Sequence, residues 1–161
     1  EAYLEKAGKS TGVLDELGGV YLQLRDSRGL LKLIERFKYV PEVETGTFEE
    51  RIFIGNVHFY RNDYLDAQRF YEEAATDRPG DSYAVYKVGR ALLARDRYQD
   101  AADRFRKAIE LEPDFADAHY RLGVCYEEQG NKDEALRLYE NTVELLPNHL
   151  DGLLAVRKLR K

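Results

Sequence analysis

The residues of this sequence that could act as nucleophiles or metal ligands are few and scattered. Three histidines, His58, His119 and His149, are far apart along the 161-residue chain, whereas a metal site needs its ligands close together. The single cysteine, Cys125, cannot form a disulfide within the chain. Because it lies in an apolar helical pattern, we expect a small buried core residue and not a reactive thiol. These residues predict no metal site and no cofactor.

A set of carboxylates, by contrast, recurs at a regular interval. Asp66, Asp100 and Glu134 are each separated by 34 residues. Each falls in the first turn of a predicted helix, where negative charge complements the helix dipole by about 0.3 to 1 kcal/mol. Acids that cooperate in catalysis would meet at one site, whereas these recur once per unit. Since phosphate-binding loops and nucleophile motifs are also missing from the sequence, we expect no enzymatic activity.

The charge of the chain limits its partners. With 25 basic and 30 acidic side chains the formal net charge is -5, so we expect no nucleic-acid binding. The sequence has no apolar run long enough for membrane insertion. We expect a cytoplasmic location, or a periplasmic one if a signal segment has been removed.

Because methionine is missing, we interpret the sequence as a piece of a longer protein. A basic cluster near the end is interpreted as a solvated helix end, and it comprises Arg157, Lys158, Arg160 and Lys161.

The elements that position these residues are indicated by four ladders with a spacing of 34 residues. The ladders are Pro79, Pro113 and Pro147; Gly55, Gly89 and Gly123; Ala67, Ala101 and Ala135; and Tyr71, Phe105 and Tyr139. Each unit contains an apolar helical pattern, a short polar break, a second helical pattern and a closing proline. The polar breaks are Asn62-Asp63, Asp96-Arg97 and Gly130-Asn131.

The residue types of the ladders predict how the two helices of a unit pack. Glycine inside a helix costs about 1 kcal/mol relative to alanine, so we attribute it to a close approach of the second helix. We expect the ladder alanines on the facing side of that second helix. We expect the ladder aromatic rings to fill the gap to the next unit.

This pattern resembles the tetratricopeptide repeat family, in which Leu-Gly-x-x-Tyr in the first helix is followed by alanine, an aromatic residue and proline. Residues 116–149 match it best, through Leu122, Gly123 and Tyr126, although His119 replaces the usual tryptophan. The resemblance implies an all-α fold, an α-solenoid of antiparallel helical hairpins wound into a right-handed superhelix. The three clear repeats are 48–81, 82–115 and 116–149.

Both ends of the chain follow the pattern less closely. Leu17, Gly18 and Tyr21 repeat the signature of the first helix, which indicates a degenerate repeat over residues 11–44. Residues 1–9 resemble the end of an earlier repeat. Residues 150–161 have the apolar spacing of a capping helix that would cover the last hairpin. We therefore interpret residues 1–161 as a single domain.

In this family, extended peptides commonly bind to the concave face that the first helices line, and the placement of a site here comes from the resemblance. Helical phase then selects the side chains that would point into this groove. The candidate partner-binding residues are Asn56, Phe59, Tyr83, Tyr86, Lys87, Arg90, Tyr120, Arg121 and Val124. Because many are aromatic or basic in an acidic protein, we expect a protein or peptide partner with acidic and apolar side chains. The alternative is that they are ordinary helical residues, with some tyrosines packing adjacent hairpins.

The function favoured by these observations is that of a scaffold or adaptor that binds a partner segment. Two alternatives stay open: structural self-assembly through the ends of the array, and an accessory domain that recruits substrates for a larger enzyme. Binding of a heat-shock chaperone's terminal carboxylate is disfavoured, although Asn56 and Arg121 agree with the residues of that subfamily. Three positions depart from its pattern, namely Ile52, Lys87 and Asp117.

Overall fold

The computed structural model describes residues 47–160 of the chain. Within this range the secondary structure consists of seven α-helices joined by short turns, and it contains no strand. The helices are α1 (Phe48–Tyr60), α2 (Tyr64–Asp77), α3 (Ser82–Leu93), α4 (Tyr98–Leu111), α5 (Ala116–Glu128), α6 (Lys132–Leu145) and α7 (Leu150–Leu159). The predicted all-α fold of helical hairpins is confirmed. The predictions for residues 1–9 and 11–44 lie outside the described residues.

The described helices belong to two compact units, which divide between Arg78 and Pro79. In the first unit, α1 and α2 pack together as one hairpin around a buried core that includes Ile52 and Ala67. Ion pairs join the start of α1 to the end of α2, and one of them places Arg78 Nη2 at 2.7 Å from Glu49 Oε1. Because the start of one helix meets the end of the other, the two helices run antiparallel.

The second unit contains two hairpins and one further helix. The helix α3 pairs with α4, and α5 pairs with α6. Between hairpins, α4 packs on α5, α6 packs on α7, and the first helices α3 and α5 also touch. Its buried core includes Val88, Phe105, Leu122 and Tyr139, which are apolar residues at helical spacing. Each helix is thus buried against a sequence neighbour, as in a stacked repeat.

The hairpin turns share one backbone geometry. Each turn contains one residue with positive φ, and these residues are Asn62 (64°), Asp96 (58°) and Gly130 (84°). The N–H of the following residue donates to the carbonyl five residues earlier, in the pairs Asp63 to His58, Arg97 to Leu92 and Asn131 to Tyr126. This is the hydrogen bond that closes a helix when the next residue is left-handed, a conformation that Asn, Asp and Gly tolerate best. The predicted polar breaks are therefore confirmed as turns.

The ladder glycines lie under aromatic rings. A Cβ atom added to Gly55 would be 2.5 Å from the Tyr71 ring, and one added to Gly89 would be 2.7 Å from the Phe105 ring. The predicted close approach of the second helix is confirmed. The expectation for the rings is corrected, because each ring lies directly over the glycine of its own hairpin. The aromatic residue follows the ladder alanine by four positions, so it extends the same inward face by one turn.

Candidate functional site

Two candidate residues lie on α1 of the first unit. The Asn56 side chain is 1% exposed, and its Oδ1 accepts a hydrogen bond from the Tyr71 hydroxyl at 2.7 Å. Its Nδ2 is buried without a hydrogen-bond partner among residues 47–160. Phe59 is partly exposed and meets the rings of Tyr60 and Tyr64 edge to face. Asn56 therefore belongs to the interior of the hairpin, whereas Phe59 keeps some accessible surface.

Four candidate residues follow one another along α3. The rings of Tyr83 and Tyr86 are stacked with centroids 6.3 Å apart. The Lys87 Nζ lies 4.8 Å from the centroid of the Tyr83 ring, and the residue is 0% exposed. The Arg90 guanidinium lies 6.0 Å from the centroid of the Tyr86 ring and is partly exposed. Both cations are thus held against aromatic faces, an arrangement that favours positive charge.

The Tyr86 ring is part of the core of the second unit. It is 6% exposed and packs against Phe105 and Phe115, with centroids 5.7 and 4.8 Å away. Burial raises the pKa of Tyr86, while the positive charges of Arg90 and Arg121 act in the opposite direction. Tyr86 therefore holds α3, α4 and the turn before α5 together, and its hydroxyl lies beside Arg121.

The remaining three candidates, Tyr120, Arg121 and Val124, lie on α5 and are partly exposed. The Tyr120 ring lies 5.4 Å from Tyr139 on α6 and 5.0 Å from His149 before α7, measured between centroids. The Arg121 guanidinium lies 5.3 Å from the centroid of the Tyr120 ring. Its Nε is buried without a hydrogen-bond partner in the described part of the chain.

The structure thus separates the nine candidates into two groups. Asn56, Tyr86 and Lys87 are buried. The partly exposed group consists of Phe59, Tyr83, Arg90, Tyr120, Arg121 and Val124. In the second unit, the contact of α3 with α5 brings Tyr86, Arg90 and Arg121 together. Their role in partner binding stays a prediction.

A pocket at the end of the second unit was missed by the sequence reasoning. It has a volume of about 310 Å³ and lies between α5, α6 and α7. The lining residues are Tyr120, Val124, Glu127, Glu128, Tyr139, Asp151, Leu154, Ala155 and Lys158. A signal for it was present, because Gly152 and Val156 follow Ala118 and Leu122 by 34 residues. This spacing indicates that α7 lies beside α5, in the position that the first helix of a further repeat would take.

The start of α7 is held by His149. The His149 Nδ1 accepts a hydrogen bond from the backbone N–H of Gly152 at 2.9 Å. Because Nδ1 accepts, the neutral ring carries its hydrogen on Nε2, which donates to Asp117 Oδ1 at 3.2 Å. One ring therefore caps α7 and ties it to α5.

The charged groups of the pocket form a connected set. Glu127 accepts hydrogen bonds from the Tyr139 hydroxyl, at 2.7 Å, and from Lys158 Nζ. Burial opposes ionisation of Glu127, but the hydrogen bonds from Lys158 and Tyr139 hold its pKa below the usual value. The hydrogen bond to Glu127 raises the pKa of Lys158. Both groups are therefore charged at neutral pH.

The described residues also show where potential metal ligands, the cysteine thiol and the apolar helices lie. In the range 47–160, three or more potential metal ligands do not come together at any point. Cys125 is buried, as predicted, and burial raises the pKa of its thiol to about 12, which keeps the unreactive protonated form. None of the seven helices combines the length and apolarity needed to span a bilayer.

The stacked helical hairpins and the partly exposed side chains along their first helices define a helical-repeat protein. The model of the tetratricopeptide repeat family matches residues 54–109 and 86–149, together more than half of the chain, and the chain belongs to this family. A comparison with curated protein sequences gives no match.

Several solved structures share the fold. The chain is similar to MamA, with 24% identity and a TM-score of 0.69 over 89% of this chain and 82% of that chain. It is similar to YrrB, a tetratricopeptide protein described as having an unusual peptide-binding site, with 21% identity and a TM-score of 0.68 over 96% and 78% of the two chains. It is also similar to the second such domain of human RPAP3 in complex with the HSP70 peptide SGPTIEEVD, with 22% identity and a TM-score of 0.65 over 69% and 92%.

Proposed function

We propose that this chain is a protein-interaction module that binds a partner segment along the first helices α3 and α5 of the second unit. Family membership supports the general role, and two proteins of the same fold, YrrB and human RPAP3, are described with a peptide-binding site or a bound peptide. The observation that carries the proposal is the arginine pair Arg90 and Arg121, which flanks the Tyr86 ring on adjacent helices.

The electrostatics of this pair favour an acidic partner segment. Arg121 is partly exposed, makes no ion pair within residues 47–160, and has an unsatisfied Nε donor. An unsatisfied buried donor costs about 1 to 3 kcal/mol, so a rotation of the guanidinium onto a bound acceptor would be favourable. The planar guanidinium suits a carboxylate, which it binds through two parallel hydrogen bonds. Tyr83 and Val124 add partly exposed apolar surface for neighbouring side chains of the partner.

The experiment compares two arginine variants. Peptides with acidic and apolar residues are selected from a displayed random library on the unaltered protein, and their dissociation constants are measured by fluorescence polarisation. Arg121→Ala should weaken binding about tenfold or more, as expected for a charge-assisted hydrogen bond. Arg104→Ala is the matched control, because Arg104 is an exposed arginine of α4 without an ion pair in the described residues. Equal binding by wild type and Arg121→Ala would refute the proposal.

Tyr86 needs a milder substitution in the same assay. Tyr86→Ala would remove a buried ring and so test stability, whereas Tyr86→Phe removes only the hydroxyl beside Arg121. The phenylalanine variant should keep the helical circular-dichroism spectrum and change affinity by less than Arg121→Ala does.

A second candidate function, self-association through one end of the array, is supported by exposed leucines. Leu150, Leu153 and Leu154 of α7 are 42 to 67% exposed. They follow i, i+3, i+4 spacing and so form one apolar stripe, with Leu145 and Leu146 exposed nearby at the end of α6.

The third function, recruitment of substrates for a larger enzyme, would use the α3–α5 surface that is proposed above for partner binding. Reading the coding sequence on both sides of this chain would test whether an enzyme domain accompanies it.

A further inference from the structure

We infer that the pocket between α5 and α7 binds a basic side chain, Lys or Arg, of the partner segment. The inference rests on the proposed function, since it names a specificity determinant of the same partner. It also adds a basic residue to a partner that the sequence predicts to be acidic and apolar.

The shape of the pocket suits a long side chain with a charged end. Tyr120 and Tyr139 supply aromatic walls, and Val124, Leu154 and Ala155 supply aliphatic ones. The aliphatic stem of Lys or Arg packs well on such surfaces while its charged end stays near water. The face of Tyr120 is also a favourable neighbour for a cation.

The charges around the pocket favour a positive ligand. Its lining contains three carboxylates, Glu127, Glu128 and Asp151, and one cation, Lys158. Glu128 and Asp151 are exposed on facing helices, and neither forms an ion pair within residues 47–160. A basic side chain between them would gain two carboxylate partners and offset the net negative charge.

Lys158 occupies the place that such a ligand would take. Its Nζ reaches across from α7 to the largely buried Glu127, although 70% of the Lys158 side chain is exposed. Because solvent screens the charge of an exposed lysine on a flexible stem, its ion pair contributes little to stability, and Lys158 is easily displaced from Glu127. The position of the Lys158 ammonium group at Glu127 therefore indicates that the pocket accommodates a positively charged group.

The position of the pocket also gives the partner a direction. Arg90 and Arg121 place positive charge beside Tyr86 where α3 meets α5, whereas Glu127, Glu128 and Asp151 make the α5–α7 end acidic. A segment with acidic residues at one end and a basic residue at the other would be bound in a single orientation.

The test uses two tripeptides of equal shape. Acetyl-Gly-Arg-Gly-amide and acetyl-Gly-citrulline-Gly-amide are titrated into the protein and followed by chemical-shift changes of backbone amides. Citrulline keeps the length and plane of arginine but carries no charge. We expect the arginine peptide to bind with a dissociation constant on the order of millimolar and to shift amides of Tyr120, Val124, Asp151 and Ala155. Citrulline should shift them weakly or not at all.

Three variants sharpen the result. The double variant Glu128→Gln with Asp151→Asn should weaken the arginine peptide about threefold to fivefold, while Lys158→Met should strengthen it by a similar factor because Glu127 loses its internal partner. Lys107→Met is the matched control, since it breaks another exposed Lys–Glu pair, with Glu110 on α4. Circular dichroism checks that each variant is folded.

The possible results separate the two proposals. Equal shifts from both tripeptides, shifts outside the pocket, or weaker binding by Lys158→Met would overturn the basic-residue site. If selected long peptides depend on Arg121 but the arginine tripeptide does not bind, only this pocket inference fails. If the tripeptide binds while long peptides ignore Arg121, the α3–α5 surface fails and the pocket stands.

Discussion

The contact between a ladder glycine and a ladder ring explains why these positions recur. At Gly89 an added Cβ would lie 2.7 and 2.9 Å from two carbons of the Phe105 ring, which is closer than real contacts allow. Phe105 is fully buried, so its ring has little room to move. The cost of glycine in a helix, about 1 kcal/mol, is thereby offset by an approach that no other residue permits.

We predict that Gly89→Ala destabilises the protein although alanine favours helix. Overpacking in a core costs about 1 to 3 kcal/mol, which exceeds the gain in helix propensity in most of that range. The free energy of unfolding in urea measures the effect. Gly80→Ala is the control, because an added Cβ there meets nothing within 4 Å, and it should change the free energy of unfolding by less than about 1 kcal/mol. A Gly89→Ala protein as stable as the Gly80→Ala protein would contradict the packing argument.

Among the helices, α7 differs from the other first helices at one decisive position. Arg157 stands 34 residues after Gly123, at the place where Gly55, Gly89 and Gly123 admit an aromatic ring. A second helix could not approach α7 there as closely as α6 approaches α5. This supports the prediction that residues 150–161 act as a cap on the last hairpin, with α7 held by α6 and by His149.

We predict that the capping hydrogen bond of His149 stabilises α7, and substitutions of His149 measure its contribution to the free energy of unfolding. His149→Ala removes both the hydrogen bond to the Gly152 N–H and the ring beside Tyr120, whereas His149→Asn keeps an acceptor for the amide but loses the ring. The alanine variant should be less stable than the asparagine variant by about 0.5 to 2 kcal/mol, the usual value of a helix cap. Hydrogen exchange of the Gly152 amide should be faster in the alanine variant. Equal exchange in both variants would show that the cap contributes nothing.

For the whole molecule, the stacking of neighbours sets both stability and the possibility of self-association. In the second unit each helix from α3 to α6 packs against the next helix in sequence, and the leucine stripe of α7 is exposed. An exposed apolar stripe of this kind favours contact with a matching stripe on another copy.

We predict that self-association, if it uses this end, depends on Leu150 and Leu153. Light scattering over a range of protein concentrations should show a mass that rises toward a dimer for the unaltered chain and stays monomeric for Leu150→Glu with Leu153→Glu. Leu65→Glu is the control, because Leu65 is an equally exposed leucine (65%) in the first unit. A monomer at every concentration in the unaltered chain would remove this candidate function.

Much of the fold could be predicted from the sequence because the repeat makes each packing contact visible several times. The glycine and alanine ladders predicted the close helix pairs, and the polar breaks predicted turns at Asn62, Asp96 and Gly130. The candidate site was harder to predict. Helical phase selects a face of a helix, but it does not show that Phe105 and Phe115 cover Tyr86 on that face. The 34-residue spacing of Gly152 and Val156 indicates that α7 lies beside α5, but it does not show that the side chains of α5, α6 and α7 leave a pocket between them.

The buried state of Cys125 makes the chain convenient for spectroscopic labelling. Since this only thiol of the sequence is fully shielded and stays protonated, it will not compete with a cysteine introduced on the surface. A cysteine at an exposed position such as Glu144 could therefore be coupled to a single fluorophore without first removing the native one.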